Sequence, residues 1–164
     1  MQRRTLLAIA PAALLAGCGF QLRQAPNFAF QTLYINTGES SPVGNELRRS
    51  ITSGGNVTVV PAQQMNAAQV ILDVLTEQRE KVVVGLNASG QVREFQLRSR
   101  LSFRLRNQQG REIIPSTEIL QQRDISFNES AVLSKEAEEA LLYRDMQTDI
   151  VQQLLRRLAA VREV

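Results

Sequence analysis

Four arginines alternate within one short segment of the sequence and have the clearest chemical potential in it: Arg98, Arg100, Arg104 and Arg106. In a strand every second side chain points to the same face, so the four guanidinium groups are predicted to share one face of a sheet. A guanidinium group binds phosphate or carboxylate with two parallel hydrogen bonds. This arginine row therefore predicts contact with an anionic lipid head group or an acidic protein surface.

The alternative for the arginine row is a solvated sheet face whose charges are balanced from neighbouring strands. Cross-strand ion pairs of this kind are common in antiparallel sheets. The carboxylates that could supply the balance are Glu77, Glu80, Glu118 and Asp124. The sequence leaves both interpretations open.

The only cysteine, Cys18, stands directly behind Leu15-Ala16-Gly17. This pattern resembles the lipobox of bacterial lipoproteins, in which the cysteine becomes the N-terminus after cleavage. The resemblance implies a covalent N-acyl and S-diacylglycerol lipid on Cys18. Each buried CH₂ group of such chains contributes about 0.8 kcal/mol, so several chains hold a protein firmly at a membrane surface. Gly19 follows in place of the aspartate that retains lipoproteins at the inner membrane, which implies the periplasmic side of the outer membrane.

Residues 1–17 have the organisation of a signal peptide. Arg3 and Arg4 supply the charged beginning, and residues 6–15 form an apolar run. A membrane-spanning helix needs about 20 apolar residues, and this run is too short for one. We therefore predict a signal peptide over 1–17, a lipidated tether over 18–27 and a single domain over 28–164. Export by the general or by the twin-arginine route stays open.

The composition excludes several classes of function. Histidine is absent, and the predicted lipid occupies the one cysteine, so Ser-His-Asp catalysis, Cys-His catalysis and Cys/His metal sites are excluded. We predict no catalytic residue, no metal and no cofactor besides the lipid. A formal net charge of +3 provides no concentrated field for nucleic acid. Carboxylate-based hydrolysis at Asp73 and Asp124 stays formally open, although a hydrogen-bonded structural role suits Asp73 better.

The elements that would position these residues begin with a strand over 28–36, which is rich in aromatic residues. Ser41 is predicted to cap a helix that has Pro42 at its first position and ends at Gly54-Gly55. Residues 56–61 form a short β-branched segment. The apolar face of the helix consists of Val43, Leu47 and Ile51.

Three long antiparallel strands are predicted next: over 69–84, through the arginine row, and over 113–127. Loops at 85–90 and 107–110 connect them. A long helix from Ser134 onward follows, with acidic residues near its beginning and Arg156, Arg157 and Arg162 near its end. The inward set of the middle strand is Phe95, Leu97, Leu101, Phe103 and Leu105. The apolar stripe of the helix is Tyr143, Met146, Ile150, Leu154 and Leu158. The order β-α-β-β-β-α, with strands paired mainly with their sequence neighbours, predicts an α+β fold.

Lys135 lies where the last strand meets the long helix. Helix beginnings favour acidic residues, because the backbone N–H groups there carry partial positive charge. A lysine at this place is either a contact for an anion or one tolerated surface charge. Both interpretations stay open.

The stretch Cys18-Gly19-Phe20-Gln21-Leu22-Arg23 resembles the mature beginning of the LptE family of lipopolysaccharide-assembly lipoproteins. The order and spacing of the remaining elements agree with that family over most of residues 18–161. These include the hairpin Asn87-Ala88-Ser89-Gly90-Gln91 and the closing helix that begins near Tyr143-Arg144-Asp145-Met146.

The resemblance implies two helices packed on one face of a mostly antiparallel, mixed four-stranded sheet. It also implies a non-enzymatic lipoprotein that plugs and helps to assemble the outer-membrane barrel LptD and assists delivery of lipopolysaccharide to the cell surface. Family members are proposed to contact lipopolysaccharide through basic residues on exposed loops, and the resemblance implies that Lys135 is at one such position, in the strand-to-helix loop. The hairpin departs from the family pattern, because no basic residue lies between Lys81 and Arg93.

Two other functions remain in competition with this one. The first is a periplasmic scaffold or pilotin-like lipoprotein that serves a different outer-membrane complex. The second is the carboxylate-based hydrolase described above.

Overall fold

The computed structural model describes residues 27–128 and 132–164. A five-stranded sheet has the strand order β2-β1-β3-β4-β5. The strands are β1 (Thr32–Asn36), β2 (Thr58–Val59), β3 (Val70–Leu86), β4 (Val92–Asn107) and β5 (Glu112–Ser126). The helices are α1 (Pro42–Gly54), α2 (Val132–Ala159) and a 3₁₀ helix, Ala62–Ala67. The predicted α+β class is confirmed.

The sheet has one strand more than the four that we expected. β2 is only two residues long and pairs in parallel with β1, which itself pairs in parallel with the beginning of β3. The expected first strand is also shorter, because regular pairing starts at Thr32. Long connections are required between parallel strands, and α1 and the 3₁₀ helix provide them. β1 pairs with β3 and not only with β2, its neighbour in sequence. The prediction that strands pair mainly with their sequence neighbours did not include this pairing.

β3, β4 and β5 form the predicted antiparallel meander. β3 continues to Leu86, so the first connecting loop is shorter than predicted and closes between Asn87 and Gln91. The second turn closes between Asn107 and Arg111, with Gly110 at a φ of 86°. Glycine tolerates this left-handed conformation without steric cost.

α1 begins and ends as its sequence predicts. The Ser41 hydroxyl accepts a hydrogen bond from the Gly44 amide at 2.8 Å, and Pro42 follows the cap. Gly55 ends the helix at a φ of 72°, and its amide donates to the Thr52 carbonyl. α1 has no acidic residue in its first turn. Glu77 of β3 replaces one, because its carboxylate accepts hydrogen bonds from the Ser41 hydroxyl and the Val43 amide.

Both α-helices pack against the same face of the sheet, as predicted. The core between them contains the fully buried Leu47 of α1, Leu72 of β3, Phe103 of β4 and Leu154 of α2. The predicted stripe of α2 is buried from Met146 onward, whereas Tyr143 is partly buried. On the opposite face a smaller cluster packs beneath the 3₁₀ helix; it consists of Tyr34, Val60, Ala68 and Ile71.

α2 begins at Val132, two residues before the predicted Ser134, and ends at Ala159. Lys135 therefore lies in the first turn of the helix and not in a loop. Arg156 and Arg157 occupy its last turn as predicted, whereas Arg162 lies beyond it. Across residues 27–128 and 132–164, none of the helices combines the length and the hydropathy that crossing a bilayer requires.

Candidate functional site

The four arginines of the row do share one face of β4, opposite to the helices. Their cross-strand neighbours on β3 are Ile71, Asp73, Gln78 and Glu80. The residues that alternate with the arginines along β4, such as Leu97, Leu101 and Leu105, are fully buried under the helices. The predicted alternation is confirmed, because a strand directs successive side chains to opposite faces.

Two of the four arginines converge on one buried carboxylate. Asp73 is 5% exposed, and its Oδ2 accepts hydrogen bonds from Arg106 Nε at 2.8 Å and Arg104 Nε at 2.9 Å. Asn36 of β1 donates to the other oxygen at 2.8 Å. Arg104 also lies 3.6 Å from Glu112 of β5. We call Asn36, Asp73, Arg104, Arg106 and Glu112 the Asp73 cluster; it joins four strands of the sheet.

The environment of Asp73 favours its charged form. Burial alone would raise the pKa of this carboxyl, but hydrogen bonds from Arg106, Asn36 and Arg104 outweigh that effect and lower the pKa from 3.8 to about 2. A general acid or base needs a pKa near the working pH, and this carboxyl has moved in the opposite direction. Asp73 therefore has the properties of a structural ion-pair partner.

The other two arginines are less strongly engaged. Arg100 forms a salt bridge of 3.1 Å with Glu118 of β5, and both side chains are more than one-third exposed. Surface pairs of this kind contribute about 0–1 kcal/mol. Arg98 donates through Nε to Gln96 at 2.9 Å. Among the described residues no carboxylate forms a salt bridge with Arg98.

The expected counter-charges for the row were only partly right. Glu118 pairs with Arg100 as proposed. The prediction for Glu77 was wrong, because this side chain faces the helices and accepts hydrogen bonds at the beginning of α1. Glu80 is the cross-strand neighbour of Arg98 without forming a salt bridge to it, and Asp124 accepts a hydrogen bond from Gln96. Asp73 holds both Arg104 and Arg106, and Glu112 lies beside Arg104 alone; neither carboxylate was among the predicted counter-charges.

Lys135 lies in the helix layer, near the turn that joins β3 and β4. Its Nζ contacts Glu138 at 2.8 Å and donates to the Ser126 hydroxyl at 3.1 Å; the side chain is 22% exposed. Lys81 of β3 lies nearby, where its Nζ contacts Glu139 of α2 at 2.6 Å and stands 4.4 Å from the centre of the Phe95 ring. Each lysine thus has one glutamate of α2 as its charged partner, Glu139 for Lys81 and Glu138 for Lys135.

A small cavity of about 70 Å³ separates the two lysines. Its apolar lining consists of Phe95, Ile125, Phe127 and Val132. Lys81, Lys135, Glu136 and Glu139 stand around it. We call this region the hairpin end of the molecule. It brings together Lys135, which the sequence analysis identified, and Lys81, which it did not.

Other predicted features lie elsewhere or outside the described residues. Cys18, with the predicted signal peptide and most of the tether, belongs to residues 1–26, which the structure does not describe. Within 27–128 and 132–164 no group of three or more metal-ligating side chains is present. Over the same ranges, every buried side-chain nitrogen and oxygen has a hydrogen-bond partner.

The fold and these charges define a class: a small α+β domain with helices on one face of a mixed sheet and cations on the other. The model of the LptE lipopolysaccharide-assembly family matches residues 30–158. The chain belongs to this family. The LPS-assembly lipoprotein LptE of Yersinia enterocolitica is 28% identical over 98% of this chain and 78% of that protein.

Solved structures agree with the assignment. An uncharacterised lipoprotein B from Nitrosomonas europaea, determined by solution NMR, is 36% identical with a TM-score of 0.74, covering 87% of this chain and 91% of that one. The crystal structure of rare lipoprotein B from Shewanella oneidensis has a TM-score of 0.66 at 24% identity, covering 79% of this chain and 95% of that one. The second likeness shows the fold alone.

Proposed function

We propose that this protein is a lipid-anchored component of lipopolysaccharide assembly at the periplasmic side of the outer membrane. In this proposal, the lipid on Cys18 holds the domain at the membrane, and the domain plugs the barrel LptD, supports its assembly and helps to pass lipopolysaccharide outward. The observation that carries the proposal is the family match over residues 30–158. The relative from Yersinia enterocolitica, named an LPS-assembly lipoprotein, supports it.

The contacts proposed for lipopolysaccharide are the cations that the fold does not commit to a buried partner. Arg104 and Arg106 have Asp73 as an internal counter-charge, so an external phosphate would have to displace a buried ion pair. For Lys135 and Arg98, the partner that a phosphate must displace is bound more weakly. Lys135 pairs with the half-exposed Glu138, and Arg98 pairs with the neutral Gln96. We therefore assign the phosphate contacts to Lys135 and Arg98, with Arg100 as a weaker third.

The proposed chemistry is an exchange of ion-pair partners. Lipid A phosphates are held together by divalent cations, and a lysine or arginine that binds a phosphate competes with them. Charge-assisted hydrogen bonds to phosphate are roughly twice as strong as neutral ones. Release of Lys135 from Glu138 costs little, because ion pairs at i and i+3 on a helix contribute about 0.2–0.5 kcal/mol. The protein makes and breaks no covalent bond in this step.

The partner is tested by extracting the full, native protein from membranes with mild detergent. We expect a barrel protein to co-purify in a stoichiometric amount, and we expect depletion of the protein to reduce surface lipopolysaccharide. Recovery of some other outer-membrane complex, with normal surface lipopolysaccharide, would support the scaffold function instead.

The phosphate contacts are tested with Lys135→Ala and Arg98→Ala, separately and together, in a lipopolysaccharide pull-down. We expect the double variant to bind at least about tenfold more weakly, because two charge-assisted hydrogen bonds are lost. Arg123→Ala is the matched control. It removes one exposed arginine that pairs with Asp149 of α2 and should leave binding unchanged. Equal binding by the double variant and the control would exclude the assignment.

A further inference from the structure

The edge of β3 that faces away from β4 is only partly covered. β1 pairs with this edge from Val70 to Asp73, and β3 then continues to Leu86. No other strand of the described residues pairs with it there. An unpaired strand edge presents a row of backbone N–H and C=O groups to which another polypeptide can bind.

In the first part of this free edge, the helices contact β3 at Glu77, Glu80 and Lys81. The Glu77 carboxylate accepts hydrogen bonds from the Ser41 hydroxyl and the Val43 amide at the beginning of α1. The Tyr143 hydroxyl donates to the backbone carbonyl of Glu80 at 2.8 Å, and Lys81 contacts Glu139. Charged side chains of this kind also discourage pairing with foreign strands.

The second part, residues 82–86, has neither protection. We call it the open β3 edge. Val83, Val84 and Leu86 are 45%, 47% and 62% exposed. No charged residue occurs from Val82 to Val92. The register with β4 shifts between Val83 and Leu86, so that Val84 has no cross-strand partner on β4 either.

The other edges of the sheet are protected by the usual means. β2 is two residues long, and short edge strands bind foreign strands poorly. β5 contains Pro115, Arg123 and Asp124, and Arg157 of α2 donates to the backbone carbonyl of Glu118. The open β3 edge thus combines a run of exposed apolar side chains with unpaired backbone and no charged residue, whereas β2 is very short and β5 contains charged residues and a proline.

We infer that the open β3 edge is covered in the assembly by an extended, uncharged segment of the partner protein, which adds to the sheet beside Val82–Leu86. The unpaired groups are a row of backbone amides and carbonyls; an added strand matches their spacing with its own backbone groups, whereas acyl chains can satisfy neither, so the occupant that we infer is a polypeptide. An uncharged segment fits because Val83, Val84 and Leu86 offer it no counter-charge. That the partner is the barrel rests on the function proposed above.

The inference is tested by placing a photo-reactive amino acid at Val84 in the full, lipidated protein and irradiating whole cells. Leu120, at the β5 edge, is the matched control because it is 39% exposed and also apolar. We expect a cross-link from position 84 to the barrel polypeptide, at least about tenfold above that from position 120. A cross-link from 84 to a second copy, to residues 18–26 of the same chain or to lipopolysaccharide would overturn the inference, as would equal yields at both positions.

A second measurement uses Val84→Lys with Leu120→Lys as its control. Both variants add one lysine to an exposed edge position, and circular dichroism should show both folded. We expect Val84→Lys alone to reduce co-purification of the barrel by about tenfold or more, because lysine at an edge opposes strand addition. If the unaltered protein recovers the barrel and Val84→Lys recovers it equally well, the inference fails while the proposed function stands. If the unaltered protein recovers no barrel, the proposed function itself fails.

Discussion

The two ends of the β3–β4 pair use their cations differently. In the Asp73 cluster, two guanidinium groups share a carboxylate that is 5% exposed, and Asn36 donates to the same carboxylate. At the hairpin end, Lys81 and Lys135 each pair with a single glutamate of α2. The first arrangement ties strands together, and the second can exchange partners at low cost. The comparison separates cations that maintain the fold from cations available for a ligand.

The largest expected effect comes from removing the shared carboxylate. Asp73→Ala removes the carboxylate that Arg104 and Arg106 share and leaves only the more distant Glu112 beside Arg104. Loss of one partner of a buried ion pair costs 3–5 kcal/mol, and because Arg104 is 40% and Arg106 23% exposed, we expect about 3 kcal/mol. Urea unfolding measures this change. Asp149→Ala, which breaks the exposed pair with Arg123, is the control and should cost less than about 1 kcal/mol. Similar losses in both variants would contradict the difference between buried and exposed pairs.

The second largest effect is expected from acid, which should weaken the Asp73 cluster. The pKa of Asp73 is lowered from 3.8 to about 2 in the folded protein, so its contribution is present above pH 4 and is lost as the pH falls through about 2. The two values differ by the equivalent of about 2 kcal/mol. Unfolding free energies measured between pH 6 and pH 2 should show this loss. In Asp73→Asn the same series should be flatter by about that amount; an identical slope in the two proteins would contradict the assignment.

A smaller effect on stability is expected from Ser41→Ala. The Ser41 hydroxyl contacts Glu77, which lies on β3 between the Asp73 cluster and the hairpin end. The substitution removes the cap of α1 and one hydrogen bond to Glu77 of β3. Loss of an N-cap costs about 1 kcal/mol. Ser53→Ala, at an exposed serine of the same helix, is the control for unfolding measurements. If the two variants unfold alike, the Ser41 hydroxyl has no special role.

The smallest effect on stability is expected from Glu138→Gln, which should also increase the affinity for lipopolysaccharide. The half-exposed Glu138 is the only charged partner of Lys135 among the described residues. Its loss should change the free energy of unfolding by less than about 0.5 kcal/mol. Lipopolysaccharide affinity should rise, because Lys135 no longer has to leave a carboxylate. Asp145→Gln, on the same helix, controls for the general loss of negative charge. A lower affinity in Glu138→Gln would show that Lys135 does not exchange partners as proposed.

Much of the architecture could be predicted from local patterns. The alternation from Phe95 to Arg106 predicts both faces of β4, and Ser41-Pro42 with Gly54-Gly55 predicts the limits of α1 within a residue. β2 could not be predicted as a paired strand, because two residues carry no periodicity and acquire their conformation from β1. The beginning of α2 was missed because Val132 and Leu133 are exposed and give no amphipathic signal at that end.

The site was predicted less completely than the fold. The sequence alone determined that the four arginines lie on one face of a strand, that the chain has no histidine and one cysteine, and that it resembles the LptE family. Only the tertiary structure decided which arginines are neutralised, because that depends on the register that sets Asp73 opposite Arg104 across a separation of 31 residues. Side-chain periodicity is a property of the local backbone, whereas the partner of a charge is set by how distant strands align.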